Sequence, residues 1–480
     1  MKEILIGLFL IFVVFIAFIL ILIFNALRVK LTARKLTERK EHKTKEEQIE
    51  YAKRLAEMIK CETVSKEDSF DDTEFKKLRD VMKELFPLIH QKAEKMTFSD
   101  DCWIYKIKGK DESRNIILMS HHDVVAATGD WLHPGFCGEI FDDCLWGRGT
   151  VDTKTPLFSE FQALEELLKE GFVPECNVYI GSSHNEEIGG DGIPEALKYF
   201  KENNITFETV LDEGGAIISP PLAGIKANCA MMAVHEKGRY TLNCYAKDSS
   251  GHRGLAVNSN TPVARMSAFI TEVNTKNLFI KRLYPEVKGM FSHLCPYTPF
   301  IMTILFSNLW CFGSLLKTVM PKLNAQAGSM VGTTCSFNEI NTNKEEKYCH
   351  SKAFLRPVYE NDLKEDLKQI EKIAKKYNIQ LVPAENNECF KSTDVSNKSV
   401  EYTKKCINDI FPDVIPAPYI LPAGTDARHL CSISESVIRF APIEMNDKQF
   451  ASVHSENEHI SLEAIANSVV FYKHYLKNYR

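Results

Sequence analysis

The sequence predicts an α/β domain that is interrupted by a smaller α+β domain and preceded by one membrane-spanning helix. Three observations lead there. Short apolar runs alternate with helical patterns between residues 46 and 234, as in a sheet with helices on its faces. Near residue 235 the pattern changes to apolar–polar alternation, and the α/β character returns from about residue 351. Ile4–Phe24 carries no charge at all. A length of 480 residues is too great for one small core and suits two domains.

The N-terminal run is 21 residues long, and at ~1.5 Å per residue it reaches about 30 Å, enough to cross a bilayer core. It is longer than the apolar stretch of a secretory signal, begins Met1-Lys2-Glu3, and is followed by no Ala-x-Ala. Residues 1–27 are therefore expected to be an uncleaved anchor. Residues 28–45 read as a basic, solvated tether with Arg28, Lys30, Arg34, Lys35, Arg39, Lys40, Lys43 and Lys45. This charge bias favours a cytoplasmic body. The sequons at Asn204 and Asn397 would suit the opposite side.

The first part of the α/β domain spans 46–234. A helix from Glu46 places Ile49, Ala52, Leu55 and Ile59 on one face. Asn115–Met119, Asn177–Ile180 and Thr209–Leu211 read as buried strands. Pro156–Glu170 reads as a helix with Leu157, Phe161, Leu164 and Leu168 inward, and Gly171 suits its end. Tyr240, Leu242 and Cys244 alternate with polar residues and open the inserted domain, 235–350. Within it, Phe300–Val319 has the hydropathy of a second span. Asn308, Lys317 and the flanking Pro299 and Pro321 argue for a packed helical insertion instead. The second part of the α/β domain spans 351–480. It ends in a helix capped by Ser461, with Leu462, Ile465, Val469, Tyr472 and Leu476 as its stripe.

Composition narrows the function classes. Hydrophobic residues are 44% and charged residues 26%, as in ordinary globular proteins. A net charge of −5 gives no field that would attract nucleic acid, and none is expected as a partner. The 14 cysteines are scattered with no Cys-x-x-Cys, which predicts buried free thiols rather than a disulfide scaffold or thiolate metal site.

Five segments concentrate imidazoles and carboxylates near the ends of predicted elements: Ser120-His121-His122-Asp123, Gly147–Asp152, His184-Asn185-Glu186-Glu187, Leu211–Gly215 and Val453-His454. Sites in α/β sheets form beyond the carboxyl ends of strands, so these distant segments can converge. Imidazole and carboxylate donors without thiolates suit Zn²⁺, or less selectively Mn²⁺ and Co²⁺. In His121-x-Asp123 the first residue can ligate while the second orients its ring. Adjacent Glu186 and Glu187 allow one to bind metal while the other faces the substrate water.

Together these segments resemble the co-catalytic zinc peptidases and amidohydrolases that include aminoacylase, acetylornithine deacetylase and succinyl-diaminopimelate desuccinylase. The closest likeness, over about residues 47–480, is to carboxypeptidase S and the N-fatty-acyl-amino acid synthase/hydrolase. The resemblance implies a mixed-sheet catalytic domain with a dinuclear metal site, a lid of the dimerisation type, and two Zn²⁺ per chain. MSHHDVV implies His121 as a ligand and Asp123 as its orienting partner. WGRGTVDTK implies Asp152 as the bridge between the metals. HNEEIGG implies Glu186 as general base and Glu187 as a ligand. VLDEGG supplies a further ligand, Asp212 by first choice with Glu213 as the alternative. ASVHSENEHI supplies His454. SSGHRG implies His252 as the donor to the reacting carbonyl oxygen. FLRP implies Arg356 as the holder of a substrate carboxylate, and PAGTDARH implies Gly424 and Thr425 as pocket residues. His122 fills a slot that is apolar in the family, and packing is expected of it. Two divalent cations would balance Asp152, Glu187, Asp212 and one hydroxide, a set too costly to bury unaided.

The implied function is hydrolysis of an amide or peptide bond next to a C-terminal amino acid, with a small peptide as substrate. The alternative within the same chemistry is an N-acyl or fatty-acyl amino acid. A non-catalytic membrane-tethered binding protein predicts loss of the base or a ligand, yet all are present. A homodimer is an allowed assembly, and the family resemblance favours a lumenal or extracellular body.

Overall fold

The computed structural model describes residues 2–247, 261–343, 348–385 and 387–480. Its largest sheet has nine strands. Along the sheet run Glu94–Phe98, Cys102–Ile107, Cys176–Ser182, Asp111–Met119, Thr209–Asp212, Val437–Arg439, Cys229–Glu236 and Ile415–Leu421, and Ile217–Ile218 pairs alongside Cys229–Glu236. Asp111–Met119 is parallel to both Cys176–Ser182 and Thr209–Asp212, while the pair Glu94–Phe98 and Cys102–Ile107 is antiparallel, so the sheet is mixed. Every residue of Cys176–Ser182 is buried, which explains its continuous apolar reading.

Alternate residues of the central strands serve opposite faces. Ile116, Leu118, Val178 and Ile180 pack under the helices Lys45–Ile59, Lys154–Lys169 and Leu462–Asn478. Ile117, Met119 and Tyr179 join Ile193, Ala196 and Phe200 of the helix Gly192–Glu202 on the other face. The helix starts follow from local chemistry. Thr44 and Glu47 form a reciprocal capping box, and Ser461 accepts the Ala464 N–H.

A five-stranded sheet is built from Thr334–Phe337, Tyr348–Arg356, Tyr240–Lys247, Gln380–Pro383 and Asn341–Asn343. The helices Pro262–Thr275 and Glu360–Lys376 contribute Met266, Phe269, Leu363 and Ile370 to its apolar core. The expected boundary at residue 351 therefore falls inside a strand of this sheet. Tyr348–Arg356 pairs with Tyr240–Lys247 along its whole length, and the chain next enters the large sheet at Ile415. Part of the expected inserted domain lies elsewhere: Val287, Met290, Phe291 and Leu294 of the helix Pro285–Leu294 pack with Ile415, Ala417 and Tyr419.

The N-terminal helix runs Lys2–Leu31 and is long and apolar enough to cross a membrane. The expectation of a solvated tether beyond it requires correction. Arg34 donates to the Pro412 and Val414 carbonyls, and Arg39 pairs with Asp413 and Glu444 at 2.8 Å each while its guanidinium stands over Phe411. Arg34 and Arg39 dock because carbonyls and carboxylates between residues 412 and 444 meet them. All 14 cysteines are free, eight of them buried, in line with the composition.

Candidate active site

The register of the central strands sets the geometry. Met119 lies opposite both Gly181 and Asp212, so three parallel strands end level with one another. The residues that follow them, from His121, Glu186 and Glu213, line one narrow cleft together with Asp212 and Asp426. A small three-stranded sheet brings in the rest. His459–Ser461 pairs with Cys144–Trp146, which lays residues 454–458 against the loop Gly147–Asp152. Glu458 clamps that loop, accepting the N–H groups of Gly149, Val151 and Asp152 at 3.1, 2.7 and 3.1 Å and a bond from Arg148 at 2.6 Å.

At the centre stands Asp152. One oxygen lies 3.0 Å from His121 Nε2, and the other lies 3.0 Å from His454 Nε2. Glu187 reaches the same His454 nitrogen at 3.1 Å. Donor atoms of His121, Asp152 and Glu187 lie within 4.8 Å of one another, close enough to share one cation. Asp123 is fully buried. Its carboxylate accepts the Glu186 and Glu187 N–H groups at 3.2 Å each and lies 3.3 Å from His121 Nδ1, so it sets both the ring and the acidic turn. His454 adopts φ 57°, a left-handed conformation that non-glycine residues seldom take outside special sites.

The electrostatics call for positive charge. Burial pushes the Glu186 carboxyl up to about 8, with Asp426 and Asp123 adding to it and His121 and Arg428 opposing. Burial and Asp426 raise Asp212 to about 7. Burial raises Glu213 well above its usual range, and Asp152 and Asp212 add to the shift. Hydrogen bonds to Asp152 and Glu187 lift His454 to about 10, so those carboxylates favour a cation at its position. Glu187 Oε1 is buried with no hydrogen-bond partner. Buried acids raised in this way, an orphaned carboxylate oxygen and convergent imidazoles fit the donor set of divalent metal ions.

The two acidic neighbours after Leu211 are placed differently. Asp212 accepts the Glu213 and Ala427 N–H groups at 2.9 and 2.8 Å, one on each oxygen. Glu213 instead feels Asp152, His121 and Glu186 as electrostatic neighbours. His252 lies outside the described residues. His122 stacks on Trp103 with centroids 4.0 Å apart and donates or accepts at Ser182, a packing position.

Near the acidic cleft lies a cluster of arginines. Arg356 feels Arg239 and Arg428 as neighbours, and burial together with those like charges lowers its pKa. Arg239 lies so close to Gly424 that a Cβ there would sit 2.2 Å from its Nη2, and Thr425 donates to Glu236 at 3.4 Å. Arg356 Nη1 and Arg239 Nε are buried without partners. Arg428 lies 3.6 Å from Glu186, and the Ser183 hydroxyl donates to Asp426. Sequence reasoning missed Arg239, Asp426, Arg428 and Glu458. Asp426 and Arg428 sit inside the PAGTDARH segment and Glu458 beside His454, so their signal was proximity to flagged residues. Arg239 carried none.

Imidazoles and carboxylates gathered past the ends of parallel strands, with a raised glutamate beside them, define a metal-dependent hydrolase. The chain belongs to the Peptidase family M20/M25/M40, whose model matches residues 117–478. It is 29% identical over 445 residues to a "Probable carboxypeptidase S-like 2" of Dictyostelium discoideum, covering 90% of this chain and 85% of that one. It is also 29% identical over 372 residues to the N-fatty-acyl-amino acid synthase/hydrolase PM20D1.1 of Danio rerio, covering 75% and 72%. Among solved structures, the M20 family metallo-carboxypeptidase Sso-CP2 from Sulfolobus solfataricus matches with a TM-score of 0.63 at 16% identity, covering 89% of this chain and 98% of that one.

Proposed function

We propose that the protein is a membrane-anchored metallopeptidase that removes a C-terminal amino acid from small peptides. The carrying observation is the meeting of His121, Asp152, Glu187 and His454 beside the raised carboxyl of Glu186. His121, Asp152, Glu187, His454 and Glu213 would hold two divalent ions, with Zn²⁺ as the expected metal. Such ions, when bound, supply a water of lowered pKa, toward about 7, and polarise the scissile carbonyl. Glu186, which lines the cleft beside His121, accepts the proton of the attacking water and carries it to the leaving amine. Asp123 holds His121 and the backbone of Glu186 and Glu187 in place.

Arg356 and Arg239 hold the free carboxylate of the departing amino acid. Their unpartnered buried nitrogens support this, because a guanidinium left without an acceptor is costly and a carboxylate satisfies it. The Danio relative favours a second reading, an N-acyl amino acid as substrate, which has the same carboxylate and the same amide. Metal analysis and a panel of dipeptides and N-acyl amino acids, run on wild type and Glu186→Gln, test the proposal. The variant should keep its metal and lose at least ~10³-fold in kcat. A variant that retains turnover removes Glu186 as the base. A wild type that binds no metal ends the reading.

A further inference from the structure

The helices Phe300–Ser307 and Leu309–Leu323 meet at 103° at Asn308. Their arms of 8 and 15 residues are roughly 12 and 22 Å long at ~1.5 Å per residue, and neither crosses a hydrocarbon core of ~30 Å. Yet their surface is apolar and open: Ile301 is 78% exposed, Trp310 65% and Leu315 55%. A face of this kind on a water-soluble body marks an interaction surface.

Its neighbour says what covers it. The pair packs against the N-terminal helix, with the Trp310 ring edge-on to Phe18 at 6.0 Å. Asn25 donates to Asn308 at 2.8 Å, and the Asn308 amide donates to the Leu22 and Ile304 carbonyls at 3.1 and 2.8 Å. The polar group at the bend is thus fully buried and satisfied by protein, the condition under which a broken helix is tolerated at membrane depth. Phe18 lies inside the uncharged run, and the first charge toward the body is Arg28. The ten helical steps from Phe18 to Arg28 amount to ~15 Å, about half a hydrocarbon core. Any bilayer that contains Phe18 must therefore contain Trp310 at the same depth. The second arm carries two charges, half-buried Lys317 and exposed Lys322 near its far end, whose long stems can reach back toward the interface.

We propose that residues 300–323 form a re-entrant hairpin embedded among the acyl chains of the membrane leaflet nearest the body. The body is then seated on the bilayer by two elements rather than hung from one. This rests on the N-terminal helix being a membrane anchor, and the test separates the two claims. The full chain is reconstituted into phosphatidylcholine vesicles whose acyl chains carry bromine, a contact quencher of indole emission. The Trp310 signal is the difference between wild type and Trp310→Phe. The anchor signal comes from Phe12→Trp added to the Trp310→Phe background.

Both signals should be quenched several-fold relative to unbrominated vesicles. Quenching of Phe12→Trp without quenching of Trp310 keeps the anchor and overturns the hairpin. In that case, red emission of Trp310 would put the face in water, and blue emission would put a second copy of the chain or another protein over it. Quenching of neither withdraws the anchor and the hairpin together.

Discussion

Two adjacent acids at the end of one strand stand in different surroundings. Asp212 holds the turn by accepting the Glu213 and Ala427 N–H groups, while Glu213 stands with Asp152, His121 and Glu186. Glu213→Gln should lower metal content by about one ion per chain, since losing a ligand removes charge and a donor together. Asp212→Asn should keep the metal content and lose folding stability of about 1–3 kcal/mol, because its amide can accept only one of the two bonds. Loss of an ion from Asp212→Asn with full metal content in Glu213→Gln would return the ligand to Asp212. The arginines make a separate prediction. Arg356→Ala and Arg239→Ala should raise KM for a substrate with a free carboxylate by roughly 10–100-fold, as expected for a lost charged hydrogen bond. They should leave the C-terminal amide of the same substrate, a poor substrate to begin with, almost unchanged. The motif residues were legible because the chemistry restricts which side chains can stand there. Arg239 was not, because a lone arginine reads as a solvated charge until its partners across the fold are known.

At the scale of elements, legibility followed environment. Asn115–Met119, Asn177–Ile180 and Thr209–Leu211 were read from sequence, and the strands run Asp111–Met119, Cys176–Ser182 and Thr209–Asp212, because central strands buried on both faces are continuously apolar. Ile415–Leu421 escaped notice, since Pro416 and Pro418 argue against a strand. It forms at the edge of the sheet, where a missing N–H costs no ladder bond. The smaller sheet was placed too short because Tyr240–Lys247 and Tyr348–Arg356 find each other across more than 90 residues. Its two helices are tied by Glu272, which accepts from Lys276, Lys376 and Tyr377 at 2.6 Å each. Those bonds depress its carboxyl from 4.5 to about 2. A carboxyl depressed on folding stabilises the native state above its unfolded value and loses that contribution as pH falls through the folded one. Glu272→Gln should therefore be less stable than wild type at neutral pH, and the gap in denaturant midpoint should close as pH falls from 4.5 toward 2. A gap that persists at the acid end would assign the effect to packing.

Across the whole molecule, the candidate metal site joins parts of the chain that the sequence keeps far apart. His121, Asp152, Glu187 and Glu213 come from before the smaller sheet, and His454 from after it. The large sheet shows the same interleaving, since Val437–Arg439 sits between Thr209–Asp212 and Cys229–Glu236. A cation bound only by the folded arrangement stabilises it by about 4 kcal/mol when free metal is 1,000 times Kd. It would do so here by neutralising carboxyls that burial and mutual repulsion hold far above their usual range. Chelation should thus lower Tm by several degrees, on the scale of ~2–4 °C per kcal/mol for domains of this order. Zn²⁺ should restore the Tm at lower concentration than Mg²⁺, because two of the donors are imidazoles. The loss should deepen toward alkaline pH. Without metal, Asp212 near 7 and Glu186 near 8 keep protons that the unfolded chain has already released, so stability falls as pH rises toward those values and levels off above them. Thermal melts with and without chelator between pH 6 and about 9, with metal content measured on each sample, read this directly. A Tm that stays constant after the metal has demonstrably gone would mean that His121, His454 and the backbone bonds hold the acids by themselves, and that no cation contributes to the fold.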